Sequence, residues 1–427
     1  MHIFRVLIVC ALPALSACSV RVTPSGVPTQ PDSAIIRRHI EFLANDRLEG
    51  RGTGSAGNDS AAAYIAKRFR ELQLSPQFPG YFQKFEARAA QDAHLGRTAP
   101  RPTQNVVGLL PGSDPNLRNE YIVIGAHFDH LGRSSASALD PAANDAIRNG
   151  ADDNASGTAA VLELARLLAA HPLKRSVIFV AFSGEELGLL GSQWFVENPP
   201  VPTDRIVAML NFDMVGRLRN DKLFVYGTGT ASELQSLVDS ANVASGAPFR
   251  ITSGGDGFGS SDHSSFYVKD IPVLHFFTDL HEDYHRATDD SDKVSAAGAA
   301  RVVGLALKLT RDIGNRSSRL TFTRSAAPRQ VASTRSGSDT YLGSIPDMSA
   351  ADTPGLRLTG IRAGSPADSA GLKSGDVIVE FAGKPVKDLY TYSDALYAQK
   401  PGDVVKIVVL RDTKRVEFTV KLGKRGG

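Results

Sequence analysis

The sequence predicts an α/β protein: a mostly parallel central sheet with helices on both faces, followed by a small β-rich module. Three observations carry that reading. Five short runs, at 121–127, 176–182, 205–213, 223–228 and 271–277, are almost continuously apolar. Strands take that form when both faces of their sheet are buried. Helix-like runs lie between or around them, and this alternation marks an α/β domain. Finally, a basic, Ser-rich stretch at 316–338 sets off a last segment, 339–424, with its own alternating strands.

Composition narrows the classes. The chain has 427 residues, 42% hydrophobic and 22% charged, which excludes a disordered, collagen-like or coiled-coil protein. At ~100–200 residues per domain this length fits two or three domains. Its 48 basic and 45 acidic residues nearly cancel, so no broad field exists to draw nucleic acid, and none is expected as a partner.

Residues 1–17 read as a signal peptide: Arg5 supplies the positive start and 6–15 (VLIVCALPAL) the apolar run. That run is shorter than the ~20 residues needed to span a bilayer. Leu15-Ser16-Ala17-Cys18 resembles a bacterial lipoprotein box, which implies cleavage before Cys18 and its lipidation. The expected location is the cell envelope, exported and lipid-anchored on the periplasmic side (at the outer membrane in a Gram-negative cell). The other cysteine, Cys10, leaves with the signal, so no disulfide framework or cysteine zinc site is available. Residues 18–31, rich in Pro, Ser and Thr, read as a tether.

The main domain is expected over 32–315. Helices are predicted near 59–72, 158–170, 231–244 and 296–313; in the second, Val161, Leu164, Ala165 and Leu168 share one face. The roughly 30 residues between Phe78 and Asn105 carry little pattern. Gly52–Gly57 spells G-x-G-x-x-G, but a dinucleotide site needs a strand before it, and a helix and polar turn precede it here. It reads as a glycine-rich surface loop. His281–His285 spells H-E-x-x-H. On a helix it would have no apolar face to bury, so a loop is expected, although a zincin reading stays open with His285 a ligand in either scheme.

Metal-type side chains recur where strands end. His127 and Asp129 close the first strand, Asp152 and Asp153 sit in the turn GADDNASG before a helix, and Glu185 and Glu186 follow the second strand. Asp213 closes the third, and Tyr284 and His285 follow the last. Ligands of open parallel sheets bind beyond the carboxyl ends of the strands, so these groups can converge. Two histidines and three carboxylates suffice for two metals with one shared carboxylate, and imidazole with carboxylate suits zinc. Adjacent glutamates allow one to bind metal while the other moves protons. Each group also has a plain structural reading: Asp152 and Asp153 as a helix cap, the glutamates as partners of a helix dipole.

The run of motifs AHFDH (126–130), GADDNASG (150–157), FSGEELGLLGS (182–192), LNFDMVG (210–216), SSDHSSF (260–266) and DYHRATDD (283–290) resembles the co-catalytic zinc aminopeptidases of the M28 family. The resemblance implies two Zn2+ per chain, His127 and Asp213 on one, Glu186 and His285 on the other, and Asp153 bridging. It implies Glu185 as general base, Asp129 as the residue that orients His127, and Tyr284 as a donor to the oxyanion. His263 is expected to face the substrate. The implied activity is removal of N-terminal residues from peptides, with the free α-amine held by the second metal and nearby carboxylates. Two rivals share the metal chemistry, a single-zinc glutaminyl cyclase and the zincin. A third is a silent scaffold.

Residues 339–424 resemble a PDZ domain through Gly364-Ser365-Pro366-Ala367, Gly371-Leu372 and Gly375-Asp376. That implies binding of an extended peptide or C-terminus by strand addition, with Tyr341–Ser344 as the carboxylate-binding loop.

Overall fold

The computed structural model describes residues 27–87, 100–133, 138–140, 143, 145–255, 257, 259–324, 340–346, 355–361, 364–387, 389–412 and 414–424. Cys10 and Cys18 lie outside them. No helix among the described residues is long and apolar enough to cross a membrane.

The first domain is built on nine strands: β1 (Ser75–Pro76), β2 (Phe82–Ala87), β3 (Arg101–Leu110), β4 (Tyr121–His127), β5 (Ser176–Phe182), β6 (Ile206–Phe212), β7 (Lys222–Tyr226), β8 (Arg250–Gly254) and β9 (Val273–Phe277). Their order is β1-β3-β5-β4-β6-β9-β7-β8, with β2 paired to β3. The centre, β5-β4-β6-β9, is parallel throughout. Antiparallel β3 and β7 flank it. All four central strands therefore end on one edge.

Alternation along the strands explains the layers. Ile122, Ile124, Phe179 and Leu210 face a core completed by helices Ser33–Leu43, Ala56–Glu71, Gly157–Ala170 and Ala296–Asn315. Val123, Ile178, Val180 and Met209 face the opposite core, closed by Phe195 and Val196 of Leu190–Glu197 and Phe266 of His263–Tyr267. Both faces are covered, and the central strands are apolar for that reason.

Two expectations are corrected here. The segment read as poorly patterned contains β2 and the start of β3. Its inward positions are polar and bond inside the domain, which hides the apolar period: Asn105 donates to Gln83 (3.0 Å) and to the Gly191 carbonyl (2.8 Å), and Thr103 donates to Asn58 (3.0 Å). The start of the segment read as a linker also lies against the first domain. Thr321 and Thr323 exchange main-chain hydrogen bonds with Ser232 and Thr230, and Arg319 pairs with Glu120 at 2.8 Å.

The second domain has its own core, including Leu342, Leu358, Ile378, Phe381, Ile407 and Val409. Its antiparallel strands are 344–346, Leu356–Ile361, Val377–Phe381, Val404–Arg411 and Lys414–Lys421, with helices Pro366–Ala370 and Leu389–Tyr397. In the loop before its first long-sheet strand, Gly343 has φ +86°, and a Cβ there would meet the Ser365 side chain at 2.2 Å. Only glycine fits this turn.

Candidate metal centre

The parallel edge gathers the side chains expected from sequence. His127 is the last residue of β4, Glu185 and Glu186 follow β5 in a tight turn, Asp213 follows β6, and Tyr284 and His285 lie beyond β9. Asp153 arrives from the wide turn 151–156 that opens helix Gly157–Ala170. That turn does not spend its carboxylates on capping. Asn154 caps the helix, accepting from the Gly157 N–H at 2.9 Å. The same amide oxygen accepts from Met214 N–H (3.2 Å), and its amide nitrogen donates to the Phe212 carbonyl (2.9 Å), which ties the turn to both sides of Asp213.

Two clusters result. In the first, His127 Nε2 lies 3.4 Å from Asp213 Oδ1, 3.4 Å from Asp153 Oδ1 and 4.0 Å from Glu185 Oε2. In the second, His285 Nε2 lies 3.2 Å from Asp153 Oδ2 and 3.3 Å from Glu186 Oε2. Asp153 thus turns one oxygen to each cluster. Donor atoms of His127, Glu185 and Asp213, and likewise of His130, Asp153 and Glu186, lie within 4.8 Å of one another.

The electrostatics follow from burial. Burial pushes the Glu185 carboxyl well above the usual range, and Glu186 and Asp213 beside it push the same way. Burial works against the charge of Glu186, but His285 and His130 overcome it and hold its carboxyl well below the usual range. Burial opposes the charge of Asp213 too, and His127 brings it down to about 2. Burial opposes the charge of His127 and His285, and their carboxylate neighbours raise both well above an ordinary imidazole. So many buried carboxylates with too few protein cations need positive charge from elsewhere. Glu186 Oε1 and both nitrogens of His130 are buried without a hydrogen-bond partner. The donor set fits two divalent cations.

Supporting contacts come from afar. Asp129 does hold His127, but through its main-chain carbonyl, 3.2 Å from Nδ1; its carboxylate is 3.9 Å away. That carboxylate instead accepts from the Glu185 N–H (3.2 Å) and from Thr53 Oγ1 (2.8 Å). The glycine-rich stretch at 52–57 is therefore more than a surface loop: Thr53 is buried under the site. Asp289 Oδ2 accepts the N–H groups of both Asp152 and Asp153 at 3.0 Å. Arg51, fully buried, donates to the carbonyls of Phe128 (2.8 Å), Asn149 (2.5 Å), Gly150 (2.9 Å) and Leu43, bracing two ligand-bearing loops at once. Burial lowers its pKa to about 10, against the pull of Asp129, Asp153 and Asp289.

Residues 281–285 form turns, not a helix. The two histidines of H-E-x-x-H go to different carboxylates: His281 Nε2 faces Asp152 Oδ2 at 3.1 Å, while His285 joins the second cluster. A zincin needs both on one metal, so this geometry does not support that reading. Glu282 is exposed, and Glu282→Gln is expected to leave hydrolysis within about twofold of the parent in a reporter assay. Tyr284 stacks on His285 with ring centroids 3.9 Å apart. His263 does not line an open surface: it is buried against His275, centroids 4.4 Å apart. Sequence reasoning missed His130. Its position three residues after His127 was visible, but an isolated histidine there has no distinguishing signal.

Two cation-ready clusters sharing one carboxylate, on the carboxyl edge of a parallel sheet, define a co-catalytic di-metal site in an aminopeptidase-like fold. Residues 105–310 match the model of peptidase family M28, and residues 332–422 match the PDZ domain. The first domain has the fold of the zinc aminopeptidases, and a PDZ-like domain follows it. Leupeptin-inactivating enzyme 1 of Streptomyces exfoliatus is 28% identical over 289 residues, 66% of this chain and 56% of that protein. Aminopeptidase YwaD of Bacillus subtilis is 29% identical over 220 residues, 49% of this chain and 43% of that one. The chain spans about half the length of the curated relatives it matches. Among solved structures, the zinc aminopeptidase BSAP of Bacillus subtilis superposes with a TM-score of 0.55 at 17% identity, covering 69% of this chain and 98% of that one. Glutaminyl cyclase of Porphyromonas gingivalis superposes with a TM-score of 0.56 at 20% identity, covering 67% and 99%. These likenesses establish the fold and do not choose between the two activities.

Proposed function

We propose that the protein is a zinc-dependent aminopeptidase that removes N-terminal residues from peptides. The observation that carries this is Asp153, whose two oxygens face separate clusters at 3.4 and 3.2 Å. A shared carboxylate serves a pair of metals, and the imidazole and carboxylate donors suit zinc. The same observation speaks against a single-zinc cyclase, which has no use for a complete first cluster.

Bound there, two zinc ions supply Lewis acidity, lowering the pKa of water and polarising a carbonyl. The chain's residues do the rest. Glu185, kept proton-seeking by burial and by Glu186, takes a proton from the attacking water and returns it to the leaving amine. Tyr284, fixed by its stack on His285, offers its hydroxyl to the developing oxyanion. A free α-amine held at the metal pair and by nearby carboxylates confines cleavage to the first residue. The PDZ domain takes an extended peptide or C-terminus at the loop Tyr341–Ser344. Cys18 carries a lipid that holds the chain at the periplasmic side of the envelope.

One preparation tests the reading. Protein purified from envelopes is expected to hold two zincs per chain, to begin at a lipid-modified Cys18 by mass, and to hydrolyse aminoacyl-amide reporters but not N-acetylated ones. Two zincs with no hydrolysis of any reporter or dipeptide overturns the aminopeptidase.

A further inference from the structure

We propose that His130 is a fourth protein ligand of the second cation position, binding through Nδ1 beside Asp153, Glu186 and His285. This rests on the di-metal reading above and adds to it a residue that the motif comparison leaves without a role.

Its Nδ1 lies 2.8 Å from Glu186 Oε1 and 3.8 Å from Asp153 Oδ2. At 2.8 Å the two buried atoms pair electrostatically but are not aligned for a hydrogen bond, and neither has another hydrogen-bond partner. Two orphaned ligand atoms facing each other are satisfied by a cation placed between them. The distances suit one. Donors about 2.0–2.1 Å from a tetrahedral zinc stand about 3.3 Å apart. Four of the separations among these side chains are 2.8 Å to Glu186 Oε1, 3.8 and 3.2 Å to Asp153 Oδ2, and 3.3 Å to Glu186 Oε2.

The ring has little freedom to be elsewhere. Its side chain is fully buried, and it meets His285 edge-on with centroids 5.8 Å apart. Gly150 has φ +55°, and a Cβ on it would strike His130 Cδ2 at 2.5 Å. The backbone thus yields the space that the imidazole fills.

The two positions then differ in kind. The second has four protein ligands; the first has His127, Asp213 and the shared Asp153.

The test is calorimetric titration of the metal-stripped full-length chain with Zn2+, paired with Co2+ absorption spectra, for the parent, His130→Gln and His130→Phe. Glutamine retains a hydrogen-bonding group near Glu186 without an imidazole; phenylalanine retains the ring shape. Both variants are expected to weaken one binding event at least tenfold, leave the other unchanged, and alter the visible Co2+ bands of the affected site. If His130→Gln, folded by circular dichroism, binds both ions with parental affinity and spectrum, the histidine is not a ligand and the inference falls. Should the parent itself bind fewer than two ions, the di-metal reading fails and takes this inference with it.

Discussion

Glu185→Gln is expected to lower hydrolysis by about 10²–10⁴-fold while both zinc ions stay bound. Glutamine has nearly the same shape but takes up no proton at neutral pH. Glu185 Oε2 stands 4.0 Å from His127 Nε2, near enough to the first cluster to be a ligand by position alone. Metal content therefore decides between the two roles. Two zincs and no turnover assign it the proton; loss of one zinc assigns it to the metal. Unchanged turnover would remove it from the chemistry altogether.

Arg51→Met is expected to destabilise the first domain by more than about 4 kcal/mol, because four main-chain carbonyls lose their donor inside the protein and each such loss costs ~1–3 kcal/mol. For a domain of this size that lowers the melting temperature by about 10 °C or more. Arg51→Lys is expected to recover little of it. An ammonium presents three donors on a flexible stem, and the guanidinium presents five in a fixed fork that reaches several loops at once. A thermal melt checks both; a shift of only a few degrees in Arg51→Met would show the carbonyls finding other donors.

What the sequence made legible was set by burial. The central strands are apolar on both faces, so their runs are unbroken, and metal-type groups stand out at or just past their ends or in the turn that opens a helix on the same edge. His127, Asp153, Glu186, Asp213 and His285 were visible for that reason, and the structure brings all five together. The supports were hidden because each acts across the chain. Thr53 reaches Asp129, 76 residues away, and Arg51 reaches Gly150, 99 residues away; in sequence they are two letters in a glycine-rich stretch. Asp129 was found for its side chain but holds His127 through its carbonyl, a distinction no residue type encodes. The polar interior of β3 broke the period by which strands are recognised.

The place of Asp289 has a consequence for how the protein comes into being. The carboxylate that steadies the Asp152–Asp153 turn stands 136 residues beyond it, and His285 comes only just before. A growing chain emits most of the candidate ligands long before it emits the residues that shape their site. Competence to hold cations is thus a late event in biosynthesis, reached when contacts this remote have closed, and no earlier local segment owns it.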